Sequence, residues 1–306
     1  MKAIRIHEFG GSEQLRIEEV ARPAPGPGEV LVRVARAGVN PVDWKIREGA
    51  LGRRGAGALP ATLGQDFAGE IAAAGGDGHF RPGQRVFGFA RSGAYADFAL
   101  AAEEEIAPVP EELSLEIAAA LPTPGLTAYQ IVQEAVAPRR EQTVLVAGAA
   151  GAVGSLAVQL LRHCGAYVTA ADRPGERGYL MELGARQVID PASADFEREA
   201  GTVDAAIDLV GGEVQRRCLR VVRRGGVLAS TVGLGERERG EAERLGVRAI
   251  AFYMRRSAGD LASVADLAAQ GVLRPRIARV LPLDQARAAQ EMSQQGEAHG
   301  KLLLAA

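Results

Sequence analysis

Residues 143 to 163, TVLVAGAAGAVGSLAVQLLRH, run from an apolar strand through small residues into an amphipathic helix. With the last two glycines setting the register, Ala149-x-Gly151-x-x-Gly154 follows the G-x-G-x-x-G spacing with alanine in first place. That spacing suits a dinucleotide pyrophosphate: Gly151 lets backbone approach it, and Gly154 lets the helix lie close on its strand. The N–H groups of Ala150, Gly151, Ala152, Val153 and Gly154, at the start of the helix, are then the phosphate donors. The competing reading is a turn kept small for packing alone; the strand before it and the helix after it favour the phosphate site. The next apolar run, AYVTAAD, ends at Asp172, near the offset at which an acidic side chain holds the adenosine ribose. A carboxylate there bonds the 2'-hydroxyl of NADH and repels the 2'-phosphate of NADPH. Arg173 and Arg177 either offer cations to that phosphate or are solvated surface, so both cofactors stay open.

The elements around this loop divide into two kinds. Up to about residue 118, short alternating runs such as KAIRIHEF, EVLVRVARAGV, QRVFGFA and AYADFAL are separated by Gly- and Pro-rich turns, the pattern of a barrel-like β domain. From 119 to 256, the runs TVLVAG, AYVTAAD, RQVID, VDAAIDLVG and GVLAST alternate with helical stretches, which predicts βαβ units and a parallel sheet. Residues 257–306 carry two further helices and the strand-like KLLLA; this tail is expected to return to the first domain and make it discontinuous. The fold class is therefore α/β, a β-rich domain plus a doubly wound, Rossmann-type domain.

Composition narrows the partners. The 306 residues include 36 basic and 38 acidic side chains, a net charge of -2, so no long-range field gathers nucleic acid or an anionic membrane. A small molecule is the expected partner. Two cysteines, Cys164 and Cys218, cannot build a disulfide framework or a four-cysteine zinc lobe. With no signal-like N-terminus and no long apolar run, a cytoplasmic protein is expected.

Beyond these readings, the whole chain resembles the medium-chain dehydrogenase/reductase superfamily, and within it the zinc-free quinone oxidoreductases similar to zeta-crystallin. The resemblance is carried by AGVNPVDWKIREG (37–49), LGQDFAGEI (63–71), RPGQRVFGF (81–89), GAYADFAL (93–100), LPTPGLTAYQ (121–130), the AAGAVG loop and the C-terminal GKLLL. It implies a GroES-like substrate domain (1–118 with 257–306), a Rossmann domain (119–256) inserted in it, and a homodimer. Zinc-dependent relatives hold their ion with cysteine, histidine and a further cysteine or acidic residue; the corresponding positions here are Asn40, Gln65 and Thr123. Neutral amide and hydroxyl oxygens are poor zinc ligands, so no metal is expected.

Without a Lewis acid, quinones and α,β-unsaturated carbonyls are the acceptors easiest to reduce, because the added electrons delocalise onto oxygen. The expected activity is hydride transfer from NADPH, or alternatively NADH, to such an acceptor. NADPH ranks first on the two arginines, although Asp172 and Pro191 depart from the serine and tyrosine common in NADPH-using members. By the same resemblance, Asn40 contacts nicotinamide or substrate, or else fills a turn before Pro41. Lys45 is a proton donor, a cofactor contact or a solvated lysine, and Asp43 a structural partner in the same loop. Trp44 and Tyr95 line the acceptor site or pack. Thr127 lies by the nicotinamide ring with Tyr129 beside it or in the core. Val232 and Gly233 bring backbone near the carboxamide, and Lys301 reaches the cofactor or is surface. The alternatives are an enoyl reductase acting on a thioester or biosynthetic intermediate, and a non-catalytic nicotinamide-binding sensor or structural protein.

Overall fold

The computed structural model describes residues 1–51 and 57–306. The chain forms two compact units: Met1–Thr123 with Arg256–Gln270 and Pro275–Ala306, and Pro124–Arg255 with Gly271–Arg274.

The first unit is built on antiparallel strands. β1 (Lys2–Ile6) pairs with β2 (Arg16–Glu19) and β4 (Ala61–Thr62). A larger sheet centres on β3 (Glu29–Val39), an eleven-residue run whose Val30, Val32 and Val34 are buried. β3 pairs with β5 (Asp66–Ala74) along one edge and with β7 (Phe98–Ala102) and the C-terminal β16 (Lys301–Ala305) along the other. β6 (Arg85–Phe89) and β8 (Ile106–Pro108) extend it beyond β5, and β15 (Ile277–Pro282) lies parallel to β16. β16 carries consecutive buried leucines, and pairing it to β3 sets Leu303 opposite Gly38 and Leu302 opposite Val39. Lys301 is thereby held beside the end of β3. There the chain enters the helix Pro41–Arg47, with proline at the first helical position, where a missing N–H costs nothing.

The second unit is a six-stranded, wholly parallel sheet in the order β11-β10-β9-β12-β13-β14. Its strands are β9 (Thr143–Ala147), β10 (Tyr167–Ala171), β11 (Gln187–Ile189), β12 (Val203–Asp208), β13 (Val222–Ser230) and β14 (Arg248–Ala251). Counting from β9 as first, the order is 3-2-1-4-5-6, the doubly wound arrangement in which ligands bind outside the carboxyl ends of the strands where the order reverses. That reversal falls between β9 and β12, which run side by side with Ala147 opposite Asp208. β9 is buried from Val144 to Ala147, and the helix Ala152–His163, whose Leu156, Val158, Leu160 and Leu161 are all buried, packs against it.

Candidate functional site

At the carboxyl end of β9 the chain turns through Gly148, which has φ +76, so the left-handed residue stands one place before Ala149, where the spacing template puts it. Gly154 packs against that turn. A Cβ on it would lie 2.1 Å from the Gly148 carbonyl oxygen and 2.7 Å from the Ala149 Cα, both backbone atoms that cannot swing aside. Gly151 caps the helix without a side-chain hydrogen bond, and the first intrahelical bond runs from Ser155 N to Gly151 O. The N–H groups of Ala152, Val153 and Gly154 therefore have no intrahelical acceptor. Ala150 and Gly151 differ from the phosphate-facing expectation: Ala150 N donates to Asp172 Oδ2 at 2.7 Å, and Gly151 N to Gly148 O at 3.2 Å. The close backbone approach and the helix start at the strand-order reversal fit a dinucleotide pyrophosphate.

Asp172 is half-buried, and its other oxygen accepts the N–H of Arg173 at 2.8 Å. Its carboxylate thus clamps the glycine-rich turn from the neighbouring strand. Arg173 is exposed; Arg177 donates to the Val188 carbonyl at 3.2 Å, which turns that guanidinium onto the sheet edge. Across the reversal, Val232 and Gly233 follow β13 and border a cavity of about 630 Å3 shared with Val210, Gly211, Gln215 and Tyr253. Thr127 is buried and Tyr129 half-buried, both in the helix Pro122–Gln130.

A second group of polar residues lies within the first unit. Asp66, at the start of β5, is fully buried; its Oδ1 accepts the Thr123 hydroxyl at 2.6 Å, and Oδ2 accepts Thr123 N and Lys301 Nζ, each at 3.1 Å. Lys301, only 2% exposed, also donates to Asn40 Oδ1. Of the two readings of Lys301, the surface one does not hold, since a buried carboxylate draws the nearest cation to itself. Gly38 makes the approach possible: a Cβ there would stand 2.8 Å from Lys301 Cε and 2.9 Å from Asp66 Cβ. An ammonium group only donates, so the amide oxygen of Asn40 must face it. Asn40 Nδ2 is buried with no hydrogen-bond partner among the described residues.

Asp43 Oδ2 takes the Asn40 N–H at 2.8 Å and the Tyr95 hydroxyl at 2.8 Å. Burial pushes the Asp43 carboxyl up to about 7, the bond from Asn40 opposing the shift and the Asp66 carboxylate adding to it. Of its two readings, Tyr95 takes the packed one: it has no exposed surface, so it does not line an acceptor site, and its phenol is held above its usual range by burial beside Asp43. Trp44 is half-buried, with Nε1 unpartnered among the described residues; Lys45 is exposed, its Nζ 5.4 Å from the indole centroid.

The three positions at which zinc-dependent relatives carry ligands do not fit a zinc ion. Asn40 Oδ1 faces a cation, Gln65 Oε1 accepts from Arg256 at 3.1 Å, and the Thr123 hydroxyl donates to Asp66. None is a thiolate, imidazole or carboxylate. Sequence reasoning missed Gly148, Asp66, Asp208 and Gln215. For Asp66 the signal was an acidic residue in an otherwise apolar run, FAG following; for Asp208 it was a carboxylate closing a buried strand before Gly211 and Gly212.

The pattern of the alcohol dehydrogenase GroES-like domain matches residues 26–111, and that of the zinc-binding dehydrogenases residues 183–304. A quinone oxidoreductase of Mus musculus is 37% identical over 240 residues, 74% of this chain and 71% of the relative. The polyketide synthase system protein NorB, from spectinabilin synthesis in Streptomyces orinoci, is 34% identical over 94% of this chain, which corresponds to 13% of that protein. The solved quinone oxidoreductase of Coxiella burnetii superposes with a TM-score of 0.91 at 31% identity, covering 100% of this chain and 99% of the other.

Proposed function

The chain belongs to the quinone oxidoreductase family of the medium-chain dehydrogenase/reductase superfamily, and from that premise we propose that it reduces a quinone or another α,β-unsaturated carbonyl compound with NADPH, without zinc. The observation that carries the proposal is the turn at Gly148 and Gly154, packed so closely that no side chain fits between strand and helix. The bound reduced nicotinamide supplies the hydride. The residues of the chain orient and stabilise. The N–H groups of Ala152, Val153 and Gly154 hold the pyrophosphate at the helix start. Val232 and Gly233, with Thr127, hold the ring end; Asn40, its amide oxygen fixed by Lys301, offers Nδ2 to an oxygen of the ring amide or the acceptor. Trp44 and Tyr129 offer aromatic surface to a planar acceptor. Lys45, exposed and cationic, or solvent, returns the proton that a reduced quinone or enolate needs.

Conjugated acceptors suit such a site because charge delocalises onto oxygens that a few hydrogen bonds can stabilise. NADPH is preferred over NADH in this proposal because both oxygens of Asp172 are taken by backbone N–H groups, and Arg173 stands exposed beside them. The match to NorB favours a second reading, reduction of a conjugated double bond in a biosynthetic thioester by the same hydride donor. Anaerobic oxidation of NADPH and of NADH against quinones, enones and enoyl thioesters, with metal analysis of the same preparation, separates these readings. Fast turnover with quinones and NADPH supports the first; turnover confined to thioesters replaces it with the second, and stoichiometric zinc removes the metal-free mechanism. We further propose a cytoplasmic homodimer; the cysteines are both free thiols and β14 is an edge strand. Light scattering in solution tests the dimer, with a monomeric mass counting against it.

A further inference from the structure

β12 and β13 end side by side, with Asp208 opposite Ser230. Asp208 is fully buried, and four donors converge on its carboxylate. Oδ1 accepts Val210 N at 3.1 Å and Gly211 N at 2.9 Å; Oδ2 accepts the Ser230 hydroxyl and Gln215 Nε2, each at 2.8 Å. Gln215 projects from the helix Gly212–Val221, and its Nε2 also lies 2.8 Å from the Gly233 carbonyl oxygen and 2.8 Å from Ser230 Oγ. Ser230 Oγ in turn accepts Val232 N at 3.3 Å. One buried carboxylate therefore ties down both loops that border the cavity, Val210–Gly211 directly and Val232–Gly233 through Ser230 and Gln215.

The lining of that cavity is mixed: Val210, Val232 and Tyr253, 50%, 48% and 74% exposed, offer apolar surface to the face of a planar ring, while Gln215, Glu238 and Arg239 add polar groups beside it. The phosphate-binding turn is adjacent: a Cβ on Gly148 would meet Val210 Cγ2 at 3.1 Å. A ligand laid from that turn across Val210 brings its far end to Val232 and Gly233.

We propose that Asp208, Gln215 and Ser230 are positioning residues that set the Val232–Gly233 turn for the nicotinamide half of the dinucleotide and leave the adenosine half unaffected. This rests on the reading above that the unit holds a nicotinamide dinucleotide. Gln215 is the link most open to test. Its amide satisfies the Gly233 carbonyl and Asp208 together, and replacing it with an isosteric apolar side chain frees the turn without opening a void.

The experiment compares two ligands on folded protein by calorimetric titration: the better bound of NADPH and NADH, and the matching adenosine half, adenosine 2',5'-bisphosphate or adenosine 5'-monophosphate. In Gln215→Met the dinucleotide Kd is expected to rise about tenfold or more, while the half-ligand Kd stays within about twofold. With a saturable acceptor, KM for the dinucleotide rises by more than kcat falls. Should Gln215→Met fail to fold, Ser230→Ala, which removes one hydroxyl, reads the same difference. Variants that bind both ligands as the unsubstituted chain does, or that weaken both equally, overturn the proposal alone. An unsubstituted chain that binds neither ligand overturns the dinucleotide reading and the proposal with it.

Discussion

Replacing Lys301 with methionine removes the ammonium that lies 3.1 Å from Asp66 Oδ2 while keeping most of the side-chain volume. Asp66 is fully buried, so the substitution leaves a carboxylate in the interior with the two Thr123 donors as its remaining bonds. Breaking a buried ion pair by removing one partner costs about 3–5 kcal/mol. The Thr123 bonds that survive place this case near the lower end, about 3 kcal/mol. For a unit of 150–250 residues that corresponds to a fall in Tm of about 6–12 °C. Denaturant melts of Lys301→Met, Asp66→Asn and the double substitution test the reasoning as a cycle. The double variant buries no charge at the site, and the Thr123 hydroxyl can reverse to accept from the new amide, so it is expected to recover at least about half of the loss caused by Lys301→Met alone. A single Lys301→Met variant within about 0.5 kcal/mol of the unsubstituted chain would refute the buried pair. A double variant whose loss equals the sum of the two singles would refute the coupling.

Asp43 gives a pH signature. Its folded carboxyl titrates at about 7, above the ordinary value of 3.8, so between those values the folded chain holds a proton that the unfolded chain has released. The contribution of this group is fully present below about pH 4 and is lost as the pH rises through 7. Asp43→Asn should therefore gain on the parent by up to about 4 kcal/mol over that window and no further above it; chemical melts at pH 4, 6 and 8 that differ by a constant amount would contradict this. Gly154→Ala drives a Cβ to 2.1 Å from the Gly148 carbonyl, and we expect a stability loss of about 1–3 kcal/mol with at least about tenfold weaker dinucleotide binding. Affinity equal to that of the parent in a titration would show that the turn is not the phosphate site. Asp172→Ser removes a carboxylate from the ribose end and should shift the ratio of kcat/KM values towards NADPH by about fivefold or more; an unchanged ratio would take Asp172 out of cofactor selection.

Much of the fold was legible because its strands are long in pattern or fully apolar. EVLVRVARAGV reads as a strand over 29–39 and is one, and five of the six parallel strands stand out as apolar runs between helical stretches. The sixth, β14, is a half-buried edge strand, RAIA, whose arginine and two alanines give little apolar contrast with the helix before it. β4 and β8, of two and three residues, are too short for alternation to register. The glycine-rich turn was legible to within one residue, because which small residue takes the left-handed conformation depends on how the following helix packs, and spacing does not encode that.

The polar groups were harder to read because their partners are distant in the chain. Lys301 meets Asp66 and Asn40 across more than 230 positions, and nothing local marks it as buried rather than solvated. Tyr95 was equally balanced between lining and packing until Asp43, 52 residues away, supplied the acceptor for its hydroxyl. Asp208 and Gln215 lie seven residues apart, yet their meeting depends on the strand-to-helix turn at Gly211 and on Ser230 arriving from the next strand.

The proposed reduction depends on a reduced nicotinamide nucleotide lodging against the Gly148–Gly154 turn. Equilibrium titration of the unsubstituted chain with NADPH and with NADH, in chelator-treated buffer, measures that directly. One saturable site per chain, tighter for NADPH and unaffected by the chelator, is the predicted result. Failure of both nucleotides to bind, or binding that appears only when zinc is restored, would contradict it.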